Sequence, residues 1–276
     1  MSLGRLPKAA IAGGVIGSVF LFLSAISQDR PPYATPPHSA TPSPSPLAAL
    51  QPSDDERLLF DSANRERAAS HVPALQWDAI LASAARQHAN VMTRERDLSH
   101  QYPGEPALDQ RAAQAGARFS SIAENIAFGQ DAAEIHDGWM HSPGHRKNIL
   151  SPDVTALGVA VIKKGDNLYA VQDFSRPVPN LTLEQQEQKM IALLSPSSLS
   201  PVQATADARK TCASPNGFSG PQPTEIFHFE TPDLSKLPPE INKAIYGHAS
   251  RRAAVGACGT PQSTGFVRFR FAILFY

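Results

Sequence analysis

Histidine, cysteine and acidic residues are the side chains here that could bind a metal or move a proton, and their spacing sorts them. His141 and His145 stand four apart, as a ligand pair on one helix would, but Pro143-Gly144 between them breaks the helical geometry such a pair needs. His141 is therefore read as a surface residue. No His-Glu-x-x-His appears in the chain. His88 lies on one helical stripe with Leu81, Ala85 and Met92, which turns it inward and makes it a core histidine bonded to backbone. Glu134 follows Asp131 at capping distance, and a cap explains it without chemistry. The two cysteines, Cys212 and Cys258, both fall in the last third; no neighbouring group announces a low-pKa thiol, and in an exported chain an even count pairs.

Several elements must position these residues. Ser53-Asp54-Asp55-Glu56 is a capping box that opens a helix ended by His71-Val72-Pro73, and a second helix is expected over Asp78 to Thr93. A third, about Ala107 to Ala115, stops at Gly116, which suits the left-handed position after a helix. Residues 120–130 read as a loop or short irregular strand, and Asp131 opens a fourth helix reaching Met140. A short helix follows the turn at Pro143-Gly144. Then the period changes to two: Leu157 to Ile162 and Leu168 to Phe174 are strands joined through Gly165-Asp166-Asn167 as an antiparallel hairpin. Helices first and a hairpin last give an α+β fold rather than a doubly wound parallel sheet.

Outside this module the chain changes character. Residues 1–27 read as an export signal: Arg5 and Lys8 precede an uncharged apolar stretch, and Ala25-Ile26-Ser27 offers a cleavage site before Gln28. An uncleaved anchor is the rival, since the stretch approaches the length that spans hydrocarbon. Either fate places the protein outside the cytoplasm: secreted, periplasmic or anchored at the cell surface. Residues 28–53 are a Pro/Ser-rich linker. A module over 54–176 follows, then a helix about Leu183 to Leu194 and a second linker within 177–201. Residues 202–276 form a small α+β unit, with strands about Ile226 to Glu230 and Ala253 to Cys258 and a helix about Pro239 to Tyr246. Its last strand places Val267, Phe269, Phe271, Ile273 and Phe275 on a buried face and Arg268 and Arg270 on a solvated one. With 25 basic and 25 acidic residues the formal charge is zero, so no global field draws the chain onto nucleic acid or an anionic membrane.

Several short motifs occur in a fixed order: Ala74-Leu75-Gln76-Trp77-Asp78, Leu98-Ser99-His100, Ala123-Glu124-Asn125-Ile126, Trp139 with Ser142-Pro143-Gly144-His145-Arg146-Lys147-Asn148-Ile149-Leu150, Leu157-Gly158-Val159 and Gln172-Asp173-Phe174. In this order they resemble a short bacterial member of the CAP superfamily of cysteine-rich secretory, antigen 5 and pathogenesis-related proteins. The resemblance covers about residues 54–176. It implies an α/β/α sandwich with a central antiparallel sheet, and a cleft where family members place two His and two Glu. His100 and His145 match the histidines and Glu124 the first Glu; the second Glu has no match, Ser142 standing three residues after Trp139.

Two imidazoles and one carboxylate converging on a cleft would suit Zn or another divalent cation and leave a position open for water or substrate. Asn125 is expected to fix the chain behind Glu124, and Arg146 and Asn148 to anchor the short helix. Three functions follow: a non-enzymatic module binding a lipid, glycan or protein at the cell envelope; a metal-assisted hydrolase, of peptide bonds first, with His100 and His145 as metal ligands and Glu124 as ligand or base, these three being the catalytic candidates; or a scaffold whose specificity lies in the C-terminal unit.

Overall fold

The computed structural model describes residues 51–276 apart from 196, 198, 215, 248–251 and 260–264. The export signal or anchor and nearly all of the first linker lie outside the described residues. Ser53 caps α1 (Asp54–Ala69) through the expected capping box, with Glu56 returning to the backbone of Ser53. A two-residue strand β1 (Gln76–Trp77) leads into α2 (Ala79–Glu95), whose first amides are capped by Asp78. The helix α3 (Leu108–Ala115) ends at Gly116, left-handed at φ 104°. After β2 (Phe119–Gly129) come α4 (Ala132–His141) and α5 (Pro143–Ile149), then the hairpin of β3 (Ala156–Lys164) and β4 (Asn167–Pro177).

These four strands form one sheet in the order β1-β3-β4-β2; β1 runs parallel to β3 and the other pairs are antiparallel. Strand alternation sends Ile126, Ala160 and Val171 to one face, under α2, and Ala170, Val159 and Phe174 to the other, among the buried residues of α1, α4 and α5. The result is the expected three-layer α/β/α sandwich. Contact between α2 and β3 is direct: a Cβ on Gly158 would lie 2.1 Å from the backbone nitrogen of Ala82.

The remaining elements are α6 (Leu183–Leu194), β5 (Val202–Ala204), α7 (Ala206–Ala213), β6 (Glu225–Thr231), α8 (Pro239–Gly247), β7 (Ala253–Cys258) and β8 (Phe269–Phe275). They build a second four-stranded sheet, β5-β7-β8-β6, with α6 and α8 on one face and α7 on the other. Cys212 on α7 is bonded to Cys258 on β7, the expected pairing. The two sheets meet where Phe119 exchanges backbone hydrogen bonds with Gly265 and Val267.

Three expectations are corrected. Residues 119–129 are one eleven-residue strand, not a loop or short irregular strand; polar Ser120, Ser121, Glu124 and Asn125 interrupt the apolar alternation because Glu124 and Asn125 are themselves buried. His88 is fully buried, as its stripe required, yet it bonds a carboxylate, Glu105 Oε1 at 2.7 Å, rather than backbone. The arginine face of β8 is solvated only at its start, where Arg268 is exposed. Ala272 and Leu274 on that side are wholly buried beneath α7 and Arg270 is half-buried beside Glu230, because β8 is a central strand covered by helices on both sides.

Candidate functional site

The site grows from the cross-strand row Gly158–Asp173–Glu124, which runs over β3, β4 and β2 on the face toward α2 and α3. Glu124 is 2% exposed. Its Oε1 accepts the Nδ1 hydrogen of His100 at 2.8 Å, and its Oε2 accepts from Arg111 Nη2 on α3. Arg111 is as buried as the carboxylate it neutralises, and its Nη1 donates to the carbonyls of His100 and Pro106. One guanidinium thus fixes both the carboxylate and the backbone of the residue that carboxylate orients. His88 completes the rear of the network, held by Glu105, with its Nε2 3.9 Å from Glu124 Oε2, beyond hydrogen-bonding distance.

His100 is 62% exposed, and with Nδ1 given to Glu124 its Nε2 is the atom left for a partner. The hydrogen bond to Glu124 raises its pKa against the opposing effect of partial burial. His145, at the start of α5, is shifted the other way: burial lowers its pKa and neighbouring His100 lowers it further. Its Nδ1 is buried and unpaired. The two imidazoles therefore sit close enough to feel each other, one favouring the cation and the other the neutral ring.

Beside Glu124, Asp173 is fully buried, and among the described residues no donor reaches either of its oxygens. Burial pushes its carboxyl well above the usual carboxylate range; the Glu124 charge pushes the same way and Arg111 partly opposes. In its acid form Asp173 can donate a hydrogen bond to Glu124, which removes the conflict between two carboxylates at one place.

On the opposite face of β2, Asn125 donates to the carbonyl of His145 and to Gln172, while Asn148 donates to Asn125 Oδ1 and to the carbonyl of Glu124. Trp139 Nε1 donates to the carbonyl of Ile126. These bonds occupy the outer edge of β2 and fix α5, hence His145, against it. Asn125 and Asn148 thus hold the backbone in the way their motifs suggested; Arg146 makes no such side-chain bond among the described residues. His141 stands exposed on Asp137, and Glu134 caps the turn before α4.

The structure brings His100 and Glu124 into direct contact, with His145 alongside, but they do not form a three-ligand set. Both oxygens of Glu124 are engaged, and among the described residues no group of three or more His, Cys, Asp or Glu is arranged to hold a metal ion. Sequence reasoning missed Arg111, Asp173, Glu105 and the role of His88. His88 carried a readable signal, an ionisable residue on an otherwise apolar stripe, and Asp173 lay in an ordered motif without being given a role.

Residues 60–174 match the cysteine-rich secretory protein (CAP) family. The chain is similar to YkwD of Bacillus subtilis, 32% identical over 136 residues, which is 49% of this chain and 51% of that protein. It is also similar to the Bacillus subtilis membrane protein YlbC, 32% identical over 120 residues, 43% of this chain and 34% of that protein. The match thus spans about half or less of these relatives. A solved extracellular protein with an SCP domain from Bacillus anthracis matches at 32% identity and a TM-score of 0.43, covering 48% of this chain and 44% of that one. The ordered motifs and the sandwich they build agree with the family match, and residues 60–174 are a domain of the CAP superfamily.

Proposed function

We propose that this chain is an exported binding module, whose CAP domain takes up a lipid, glycan or protein of the cell envelope at His100 and His145. The observation that carries this reading is the commitment of Glu124. A hydrolase that used Glu124 as base or ligand would need that carboxylate free, and here both oxygens are spent on orienting His100 and neutralising Arg111. What faces outward is an imidazole biased toward donating and a neutral one biased toward accepting. Hydroxyl-rich groups, each both donor and acceptor, suit that pair, which favours a glycan among the three classes. The envelope location rests on the export signal and the linker, which would hold the module away from a membrane or wall; similarity to a membrane protein is in keeping with it.

The test is a screen of the full chain against envelope glycans, lipids and surface proteins, repeated with His100→Ala and His145→Ala. A ligand lost in both variants is expected. A wild-type chain that binds nothing, or a ligand that both variants keep, ends this reading.

A second reading, a divalent cation on the two imidazoles, is favoured by the unpaired Nδ1 of His145 and the outward Nε2 of His100. Such an ion, when bound, would supply Lewis acidity to a hydrolysis. Elemental analysis of natively purified protein separates the readings: stoichiometric metal that disappears in His100→Ala supports the cation site, and metal-free protein with no turnover excludes it.

A further inference from the structure

A cavity of about 410 Å³ opens where the end of β4 meets the C-terminal unit, and its lining includes none of His100, Glu124 and His145. At about 30 Å³ per water it has the volume of roughly fourteen waters, within the range of about 300–1,000 Å³ that small-molecule sites occupy. The first module contributes Thr155 and Arg176; the second unit contributes Leu181 before α6, Lys189 on it, the segment 232–235 after β6, and Phe269 of β8. Each half supplies part of the lining, so the cavity exists only where both are present.

The charges of this lining do not cancel. Asp233 is its one carboxylate, against the two cations Arg176 and Lys189. That carboxylate is already served: Ser235 hydrogen-bonds it, the backbone N–H at 2.8 Å, and the positive charges of Lys236 and Arg176 help to hold its carboxyl below the usual range. Arg176 spends Nε and Nη2 on the carbonyls of Asp153 and Pro152, which neutralise no charge. Lys189 is exposed, has no acid three or four residues away on α6, and pairs with no carboxylate among the described residues. Just outside the cavity, exposed Lys236 and exposed Asp153 offset each other. One positive charge is left over, and its ammonium rides on a flexible stem that solvent reaches.

A phosphate, carrying up to about two negative charges, would overshoot one unspent cation, whereas a carboxylate matches it. Leu181, Leu234 and Phe269 set apolar surface beside that charge, and the exposed hydroxyl of Thr155, which has no partner among the described residues, offers a carboxylate oxygen a donor from the other half. We propose that this cavity binds a carboxylate bearing a compact aliphatic group, its charge answered by Lys189 and Arg176 and its aliphatic group packed on Leu181 and Leu234.

The last residue of a peptide and a free branched fatty acid both carry that group, so the experiment has two arms. Full-length ¹⁵N-labelled protein is titrated with N-acetylleucine and, separately, with isocaproate, following the backbone amides of Thr155 and Leu234, one from each half; N-acetylleucine amide serves as the uncharged control. The expected result is a saturable shift of both resonances with one or both carboxylates and none with the control. Affinity should weaken at least about tenfold in Leu234→Trp, which fills the cavity, and in Lys189→Gln, an exposed helix position that gives the same reading if Leu234→Trp does not fold. The arm that binds more tightly identifies the source. No saturable shift with either carboxylate, equal binding of the uncharged amide, or undiminished binding in a folded variant overturns the proposal. None of these outcomes depends on His100 or His145, so the cavity and the imidazole site fail or survive separately.

Discussion

The two sheets of this chain are built to one plan and furnished differently. Each has a short first strand parallel to the third and two antiparallel pairings beyond, β1-β3-β4-β2 and β5-β7-β8-β6. Each seats a helix on a glycine of its third strand: Gly158 under Ala82 of α2, and Gly256 under Ala208 of α7. Even the ion pair of a buried glutamate with a half-exposed arginine is repeated. Glu56 on α1 accepts from Val161 N–H and Arg86, and Glu187 on α6 accepts from Ala257 N–H and Arg209. The row that runs from the glycine differs. In the first sheet it is Gly158–Asp173–Glu124, and in the second it is Gly256–Ala272–His228, with Ala272 buried in apolar surroundings and His228 exposed.

The second sheet therefore serves as an internal control. A glutamate tying the first helix to the third strand belongs to the frame, since both halves have one. The network of Glu124, Asp173, Arg111 and His88 does not, because the same frame closes without it, and burying four ionisable groups costs stability that packing alone would not demand. That cost is the argument for reading the network as a site and not as frame.

Where the second half lacks length, it has a cross-link. The helix α7 spans 8 residues against 17 in α2, and the bridge from Cys212 to Cys258 fastens it to β7 across a separation of 46. Replacing both cysteines by serine is expected to remove about 4 kcal/mol on the chain-entropy account of a loop this long. Hydrogen exchange should show the loss in 206–213 and 253–258, with 79–95 still protected. Equal deprotection of α2 would mean that the halves unfold as one unit, and the comparison between two frames would fail.

The glycine contacts give the next largest effect. A Cβ at Gly158 would stand 2.1 Å from the backbone of Ala82, and at Gly256 2.0 Å from the backbone of Ala208, distances that require the helix to move. Gly158→Ala and Gly256→Ala are each expected to cost about 3 kcal/mol in urea unfolding. If one is tolerated and the other is not, the helix seats differ and the shared plan is only a shared strand order.

Much of the frame was legible because local rules wrote it. Ser53 and Glu56 announce a capped helix, Gly116 a helix end and the alternation after Pro152 a hairpin, and each proved so. The strand β2 was hidden by the residues that make it interesting, since a buried Glu124 and Asn125 spoil the period by which strands are recognised. The arginine face of β8 misled for the converse reason: alternation reports side-chain direction, whereas burial of the second face depends on α7, a helix with too little pattern to be read. Motif order pointed to His100, Glu124 and His145. Arg111 and Asp173 reach Glu124 from α3 and β4, and no spacing in the sequence shows that a helix terminus and a neighbouring strand will converge on one carboxylate.

The smallest effect separates frame from site by its sign. Burial alone would raise the pKa of Glu187, but its hydrogen bonds to Arg209 and Ala257 N–H outweigh that, and the folded value lies below the ordinary 4.5. A depressed acid stabilises the fold above its unfolded pKa, and this contribution is lost as pH falls through the folded value. Glu187→Gln should cost about 2 kcal/mol at neutral pH, less than for a wholly buried pair because Arg209 is 44% exposed, and flatten the acid limb of the stability curve. Asp173 runs the other way. Its folded pKa is raised from 3.8, so folding takes up a proton that the unfolded chain has released, and stability falls as pH climbs from 3.8 toward the folded value. Asp173→Asn needs no such proton and should stabilise by about 1 kcal/mol at pH 7, with the gain vanishing toward pH 4, near the unfolded pKa. Chemical denaturation of both variants between about pH 3.5 and 8 reads the two signs in one experiment. A destabilised Asp173→Asn at neutral pH would place that acid in the frame with Glu187, and the contrast between the halves would lose its strongest term.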